Sequence, residues 1–299
     1  MSALSRPADG TARWATRAQF FCSGFIFATW GVHIPTIKLH YAVNEAELGL
    51  AMLAPGGGAQ LGLTQAGRWI GRYGARRASA ASGTVYALLL AALIVMPGYA
   101  ALLALLAVFG VATSVFDVAI NTDAAQLEAQ SQGHLMSSMH GMFSLGGMVG
   151  AATGSAALAA GMAPALHLAC VAIANALVIG TAAVFMLPGR LTRSQSAEAG
   201  FRLPRGVLLV LGVLAALGLI AEGAIYDWSV LYMHQELGSA QDQAALAYAS
   251  FSAAMAAARF GGDALRARFA PASLLRASAC LAAASMALVL LSSTPWIAL

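Results

Sequence analysis

Apolar runs of about twenty residues, each closed by a short polar or glycine-proline break, recur along the whole chain. A helix needs roughly 20 apolar residues to cross the hydrocarbon of a bilayer, and in lipid it satisfies its backbone N–H and C=O groups internally. The pattern predicts nine helices, over residues 18–37, 48–70, 78–96, 100–123, 137–160, 165–187, 206–233, 244–265 and 272–292. Pro97, Gly98 and Tyr99 turn the third into the fourth, and residues 161–164 turn the fifth into the sixth. Pro55, Gly56, Gly57 and Gly58 interrupt the second, and such breakers survive where neighbouring helices re-satisfy the backbone. The final Trp296, Ile297, Ala298 and Leu299 read as the opening of another apolar run. A membrane β-barrel is excluded, since its strands would read as alternating segments of roughly ten residues.

Composition agrees. Of 299 residues, 60% are hydrophobic and only 9% charged, whereas a soluble domain carries about 25% charged residues. The net charge of +4 does not signal nucleic acid, because the basic residues sit between apolar runs and form no exposed stripe with interleaved aromatics. Cys22, Cys170 and Cys280 each fall inside an apolar run without metal-ligand spacing and read as buried structural thiols. The first apolar run is long enough to span and predicts an uncleaved signal anchor.

Lys and Arg placement sets the orientation. With the N-terminus in the cytoplasm, Arg6, Arg13 and Arg17, then Arg68, Arg72, Arg76 and Arg77, lie inside. Arg190, Arg193, Arg202 and Arg205 follow, and the last inner loop adds Arg266, Arg268 and Arg276, with Arg259 near the inner end of the eighth helix. Of the sixteen Lys and Arg, that leaves only Lys38 outside. Residues 188–205 form the longest polar segment and predict a cytoplasmic linker between an N-terminal six-helix half, 1–187, and a partial C-terminal half, 206–299. At an offset of about 198, Trp30 falls on Trp228, and at 196, Arg72-Tyr73 falls on Arg268-Phe269. Such spacing suggests two parallel repeats.

The stretch 67–77 is the organising one: Gly67, Arg68, Trp69, Ile70, Gly71, Arg72, Tyr73, Gly74, Ala75, Arg76, Arg77. It resembles the loop between helices 2 and 3 of the major facilitator superfamily, which has a glycine, an Asp-Arg pair, a second glycine and terminal basic residues. Gly67, Arg72, Gly74, Arg76 and Arg77 match; Gly71 stands where the family usually has Asp, and a weaker copy at 259–269 supplies an acid as Asp263. The runs 116–121 and 222–228 look like a poorly characterised, sugar-permease-like branch of that family. The resemblance implies an all-α polytopic transporter of the bacterial inner membrane with twelve helices. This chain supports about nine, ending on the outer side, as a fragment, a truncated product or one whose partner helices come from elsewhere. The drug-antiporter signatures are absent: the fourth helix has no arginine and the fifth lacks a Gly-Pro element.

Ionisable groups within spans are costly and therefore candidates for function. Asp117 and Asn121 share a face of the fourth helix with Ser114, by i, i+3, i+7 spacing. A carboxylate alternating between water and a low-dielectric cavity can take up and release a proton; the alternative is an interhelical hydrogen bond that fastens the bundle. Glu222 and Asp227, five apart, sit about 140° around the seventh helix and converge only if Gly223 breaks it. Trp30 with His33, and His140 with Ser137 and Ser144, line further faces, either at a site or in the packing. Gly146, Gly150 and Gly154 read as close helix packing. Arg259 and Asp263, one turn apart, make either a cytoplasmic charge latch with the first loop's arginines or topological markers. His134 and His140 lack a third ligand, so no metal is expected, nor any cofactor or catalytic set. The expected function is proton-coupled transport of a small polar, sugar-like solute, through a midplane site formed by the first, fourth, fifth and seventh helices. The alternative is a non-transporting sensor or remnant.

Overall fold

The computed structural model describes residues 10–131, 135–188, 205–266 and 268–299, with the side chains of Asp263, Ala264 and Arg266 left out. Arg6, Arg190, Arg193, Arg202, His134 and the Asp263 side chain thus lie outside the described residues. The described secondary structure is helical throughout: α1 Gly10–Val32, α2 Ile34–His40, α3 Glu45–Tyr73, α4 Ala75–Ala92, α5 Tyr99–Gln130 and α6 Met136–Ala159. Then follow α7 Pro164–Phe185, α8 Val207–Gln235, α9 Gln241–Arg266, α10 Pro271–Leu291 and α11 Pro295–Ala298.

Five of these helices (α5, α6, α7, α8 and α10) are long and apolar enough to cross a membrane, and α1 with α2 makes a sixth span bent by 45°. The other predicted spans, α3, α4 and α9, carry more polar residues but pack lengthwise among them, α3 along α5, α4 along α5 and α7, and α9 along α6.

Two local differences from the sequence reading have physical reasons. The first span is two helices, because Pro35 at the start of α2 has no N–H to give and its ring restricts the residue before it. The chain bends instead through a tight bond from the His33 N–H to Trp30 O at 3.1 Å. The second span, expected to break at Pro55, is one uninterrupted helix. Its glycines serve a crossing: a Cβ at Gly58 would sit 1.9 Å from Ala107 O, and one at Gly110 would sit 1.9 Å from Pro55 O. At the other end of α3 a capping box holds the first turn, with the Asn44 side chain accepting from the Glu47 N–H at 3.0 Å and Glu47 accepting from the Asn44 N–H at 2.8 Å. Gly74, at φ 85°, takes the sharp turn from α3 into α4 that a side chain would strain.

In lipid the hydrophobic effect does not drive helices together, so close packing and polar contacts must. The stripe Gly146, Gly150, Gly154 does press against α1: Cβ atoms there would meet Phe21 O at 2.0 Å, Phe25 O at 2.7 Å and Val32 Cγ1 at 2.9 Å. Gly24 makes the reciprocal approach, 1.9 Å from Phe143 O. The main core joins Phe20, Ile26 and Trp30 of α1 to Tyr86 and Leu90 of α4, Phe109 and Phe116 of α5 and Ile179 of α7. A second joins Tyr226 and Val230 of α8 to Tyr248 of α9, Val32 of α1 and Ala151 of α6. Cys22 is buried as expected, but Cys170 and Cys280 are exposed, on helix faces turned away from the packing. The apolar first half of α8 is exposed, and α10 buries no residue.

Candidate solute and gating site

A charged cluster lies where α6, α8 and α9 meet. Arg259 of α9 is its hub: Nη2 donates to Glu222 Oε1 at 3.1 Å, and Nη1 donates to Ser144 Oγ at 2.6 Å and to His140 O at 3.3 Å. The Ser137 hydroxyl donates back to Arg259 O at 2.7 Å. Both charged side chains are about a quarter exposed, 23% for Arg259 and 25% for Glu222. Glu222 is the sixteenth of 29 residues in α8, so the pair sits near the middle of that span. The His140 ring stands edge-on to Phe20, centroids 5.3 Å apart, and so reaches towards α1. Tyr226 and Ser252, next to this cluster, have buried hydroxyls without hydrogen-bond partners among the described residues.

The Asp263 side chain, the partner expected one turn along α9, lies outside the described residues; Arg259 takes partners on the neighbouring helices α6 and α8. Glu222 and His140, picked out separately in the sequence, come together around it. Asp227 stays apart: it is half-buried, and among the described residues no hydrogen bond or ion pair holds it.

Asp117 is exposed, and Asn121 Nδ2 donates to its Oδ1 at 3.0 Å and to its carbonyl at 2.9 Å. Val108 and Val115 lie on the opposite side of α5, since two or nine residues of separation place them roughly 180° away. That opposite side, with Val111, lines an apolar groove between α3 and α4, so Asp117 looks away from the groove and toward the interior of the bundle. Ser114 leaves the shared face: it is buried under α3, where a Cβ at Gly62 would come within 2.1 Å of its Oγ.

Trp30 and His33 are both buried. Trp30 packs on Phe109, ring centroids 6.4 Å apart. His33, at the α1–α2 bend, shares a hydrogen bond with His167 of α7, Nε2 to Nδ1 at 2.8 Å. Its neighbour Thr36 accepts from Gln241 Nε2 at 2.7 Å, tying the bend to the start of α9. The sequence reading missed His167, and it missed Asp123. Asp123 is fully buried and accepts from Thr16 Oγ1 at 2.6 Å and from the Leu187 N–H at 3.2 Å, fastening α1 and the end of α7 to α5. Its acidic residue type inside a helical continuation was the available signal. In the basic loop, Arg72 lies over the Tyr73 ring at 5.4 Å and Arg68 Nη1 donates to Gln65 Oε1 at 3.2 Å. Gly67 and Gly71 have open space where a Cβ would go. Among the described residues no group of three or more His, Cys, Asp or Glu could hold a metal ion.

The chain is similar to known proteins in sequence and in fold. The chain is 34% identical over 251 residues to an uncharacterised MFS-type transporter of Yersinia pestis, covering 83% of the chain and 64% of that protein. It is 30% identical over 277 residues to an uncharacterised transporter of Sinorhizobium fredii, covering 93% and 74%. To the membrane protein MosC of Rhizobium meliloti it is 30% identical over 275 residues, covering 91% and 66%. The chain thus spans about two thirds of the length of these relatives. Its fold matches that of a solved nucleoside transporter, NupG, with a TM-score of 0.62 at 14% identity over 79% of this chain and 64% of that one. The family profile of the Major Facilitator Superfamily matches residues 18–299, and the chain belongs to that family.

Proposed function

We propose that the chain is a secondary transporter of the bacterial inner membrane. It would move a small polar, hydroxyl-rich solute by alternating access and couple that movement to protons. The observation that carries this is the Arg259–Glu222 ion pair with Ser144, held at mid-depth between α6, α8 and α9. Charges at that depth are expensive and so mark candidate positions for passage or gating, a use that fits a family of transporters. The N-terminal half, 1–187, and the partial C-terminal half, 206–299, act as the two bodies, joined by the linker 188–205. The solute meets Asp117 and Asn121 on one side and Glu222, Arg259 and His140 on the other. Asp227, Trp30 and His33 complete the proposed set of residues that shape this path. The arginine loop, with Gly67, Arg72, Gly74, Arg76 and Arg77, faces the cytoplasm together with the N-terminus, as the placement of Lys and Arg requires. Asp263 belongs to the same inner gate.

Protonation of Asp117 neutralises it and permits the reorienting step. Full-length protein, reconstituted in liposomes with a solute found by thermal-shift screening of monosaccharides and nucleosides, tests this. Asp117→Asn should lose proton-driven uptake while retaining solute exchange. Unaltered driven uptake in that variant removes the assignment. A tag placed after Arg193 should be reachable only in permeabilised cells; labelling in intact cells refutes the orientation.

A further inference from the structure

We propose that the groove between α3, α4 and α5 is a binding site for an anionic phospholipid. One acyl chain would lie in the groove and the phosphate would sit on Arg77. The assignment rests on the membrane setting of these helices and not on transport. The groove encloses about 480 Å³ and is walled by Ala78, Ala81, Val85, Val108, Val111 and Val115, with Trp69, Tyr73 and Arg77 at one end. The Ser82 hydroxyl in its wall already donates to Ala78 O at 2.7 Å and so presents little polarity to the cavity. From Arg77 to Val85 the groove rises ~12 Å at 1.5 Å per residue, close to half of the ~30 Å hydrocarbon core. The depth suits one leaflet.

Three features select the occupant. Trp69 and Tyr73, 42% and 48% exposed, stand at the end where amphipathic rings favour the headgroup level. Arg77 is exposed beside them, and the loop carries Arg68, Arg72 and Arg76 as well. No acid lines the groove, and among the described residues the ion pairs Lys38–Glu45 and Arg259–Glu222 leave these four arginines without a carboxylate. Gly71 stands in the last turns of α3, and the stretch 67–77 holds no acid to compete for the guanidinium groups. A basic pocket between spanning helices at the membrane surface fits an anionic headgroup, and the apolar wall behind it fits a chain that free phosphate does not have.

Native mass spectrometry of the full chain in detergent, with dioleoyl phosphatidylglycerol or dioleoyl phosphatidylethanolamine added, reads this directly. The wild type should retain phosphatidylglycerol more than phosphatidylethanolamine. Arg77→Gln should weaken phosphatidylglycerol about fivefold, the effect of one cation near an anionic surface. Arg205→Gln, a cation outside the groove, should not. Ala81→Phe should fill the groove and lose both lipids. Equal retention of the two lipids by the wild type, equal behaviour of Arg77→Gln and Arg205→Gln, undiminished binding by Ala81→Phe, or displacement by inorganic phosphate alone would each overturn the proposal.

Discussion

Removing either partner of the Arg259–Glu222 pair tests whether the cluster holds the two parts of the molecule together. The charges meet at 3.1 Å with each side chain about a quarter exposed. At an effective dielectric of 20, a pair ~4 Å between centres attracts by about 4 kcal/mol, most of it offset by desolvation. Stranding one member of a fully buried pair costs roughly 3–5 kcal/mol. The partial contact with water here brings that to about 2 kcal/mol. Arg259→Met should cost that much or slightly more, because Ser144 also loses its donor. Glu222→Gln should cost less, since an amide oxygen still accepts from the guanidinium. The double variant should lose little beyond the worse single one, a coupling of about 1.5 kcal/mol. Thermal unfolding in one detergent, followed by circular dichroism, should place Arg259→Met some 4–8 °C below wild type, at about 2–4 °C per kcal/mol. If the two losses simply add, the side chains do not act as a pair and the cluster has no latching role.

Other perturbations separate packing from polarity. Gly24→Ala places a methyl against Phe143 O and should destabilise by about 1–3 kcal/mol, whereas Gly71→Ala has open space and should gain about 0.5–1 kcal/mol of helix propensity; the same melting assay compares them. Asp123→Ala strands the Leu187 N–H and should cost about 2 kcal/mol, while Asp123→Asn, still able to accept it, should lose less. His33→Phe leaves the buried His167 ring without its hydrogen bond and should cost about 1–3 kcal/mol; a melting temperature unchanged from wild type would mean that the histidine contact is immaterial.

Much of the architecture was legible because lipid leaves so few ways to fold. Helix positions follow from apolar run length, and the crossings of Gly146, Gly150 and Gly154 follow from four-residue spacing. What failed to read through was tertiary. Pro55 and Pro35 are both helix prolines by sequence, yet α3 runs on through Pro55 while the first span breaks before Pro35, and α5 packs closely against Pro55 and its glycines. Asp123 was hidden for a similar reason: its partners Thr16 and Leu187 are 107 and 64 residues away. The partners of Arg259 on α6 and α8 were hidden too, because i, i+4 spacing sees only one helix, whereas a guanidinium on a long stem also reaches across to its neighbours.

The same contacts indicate where the molecule can move. Between α1 and α6 the backbone itself is the contact surface, with Gly24 and Gly146 each pressed onto an opposing carbonyl. A slide along that seam would drive Cα hydrogens into oxygen, so α1 and α6 move together. Between α6 and α9 the close contacts are side-chain ends: Gly141 meets the Phe260 ring, Gly147 meets Ser252 Oγ, and Arg259 spans the gap. Rings and guanidinium groups can take new rotamers at little cost, and backbone carbonyls within a helix cannot. If the two halves rock against each other as proposed, the α6–α9 seam would be the one to open, and the Glu222–Arg259–Ser144 cluster lies across it.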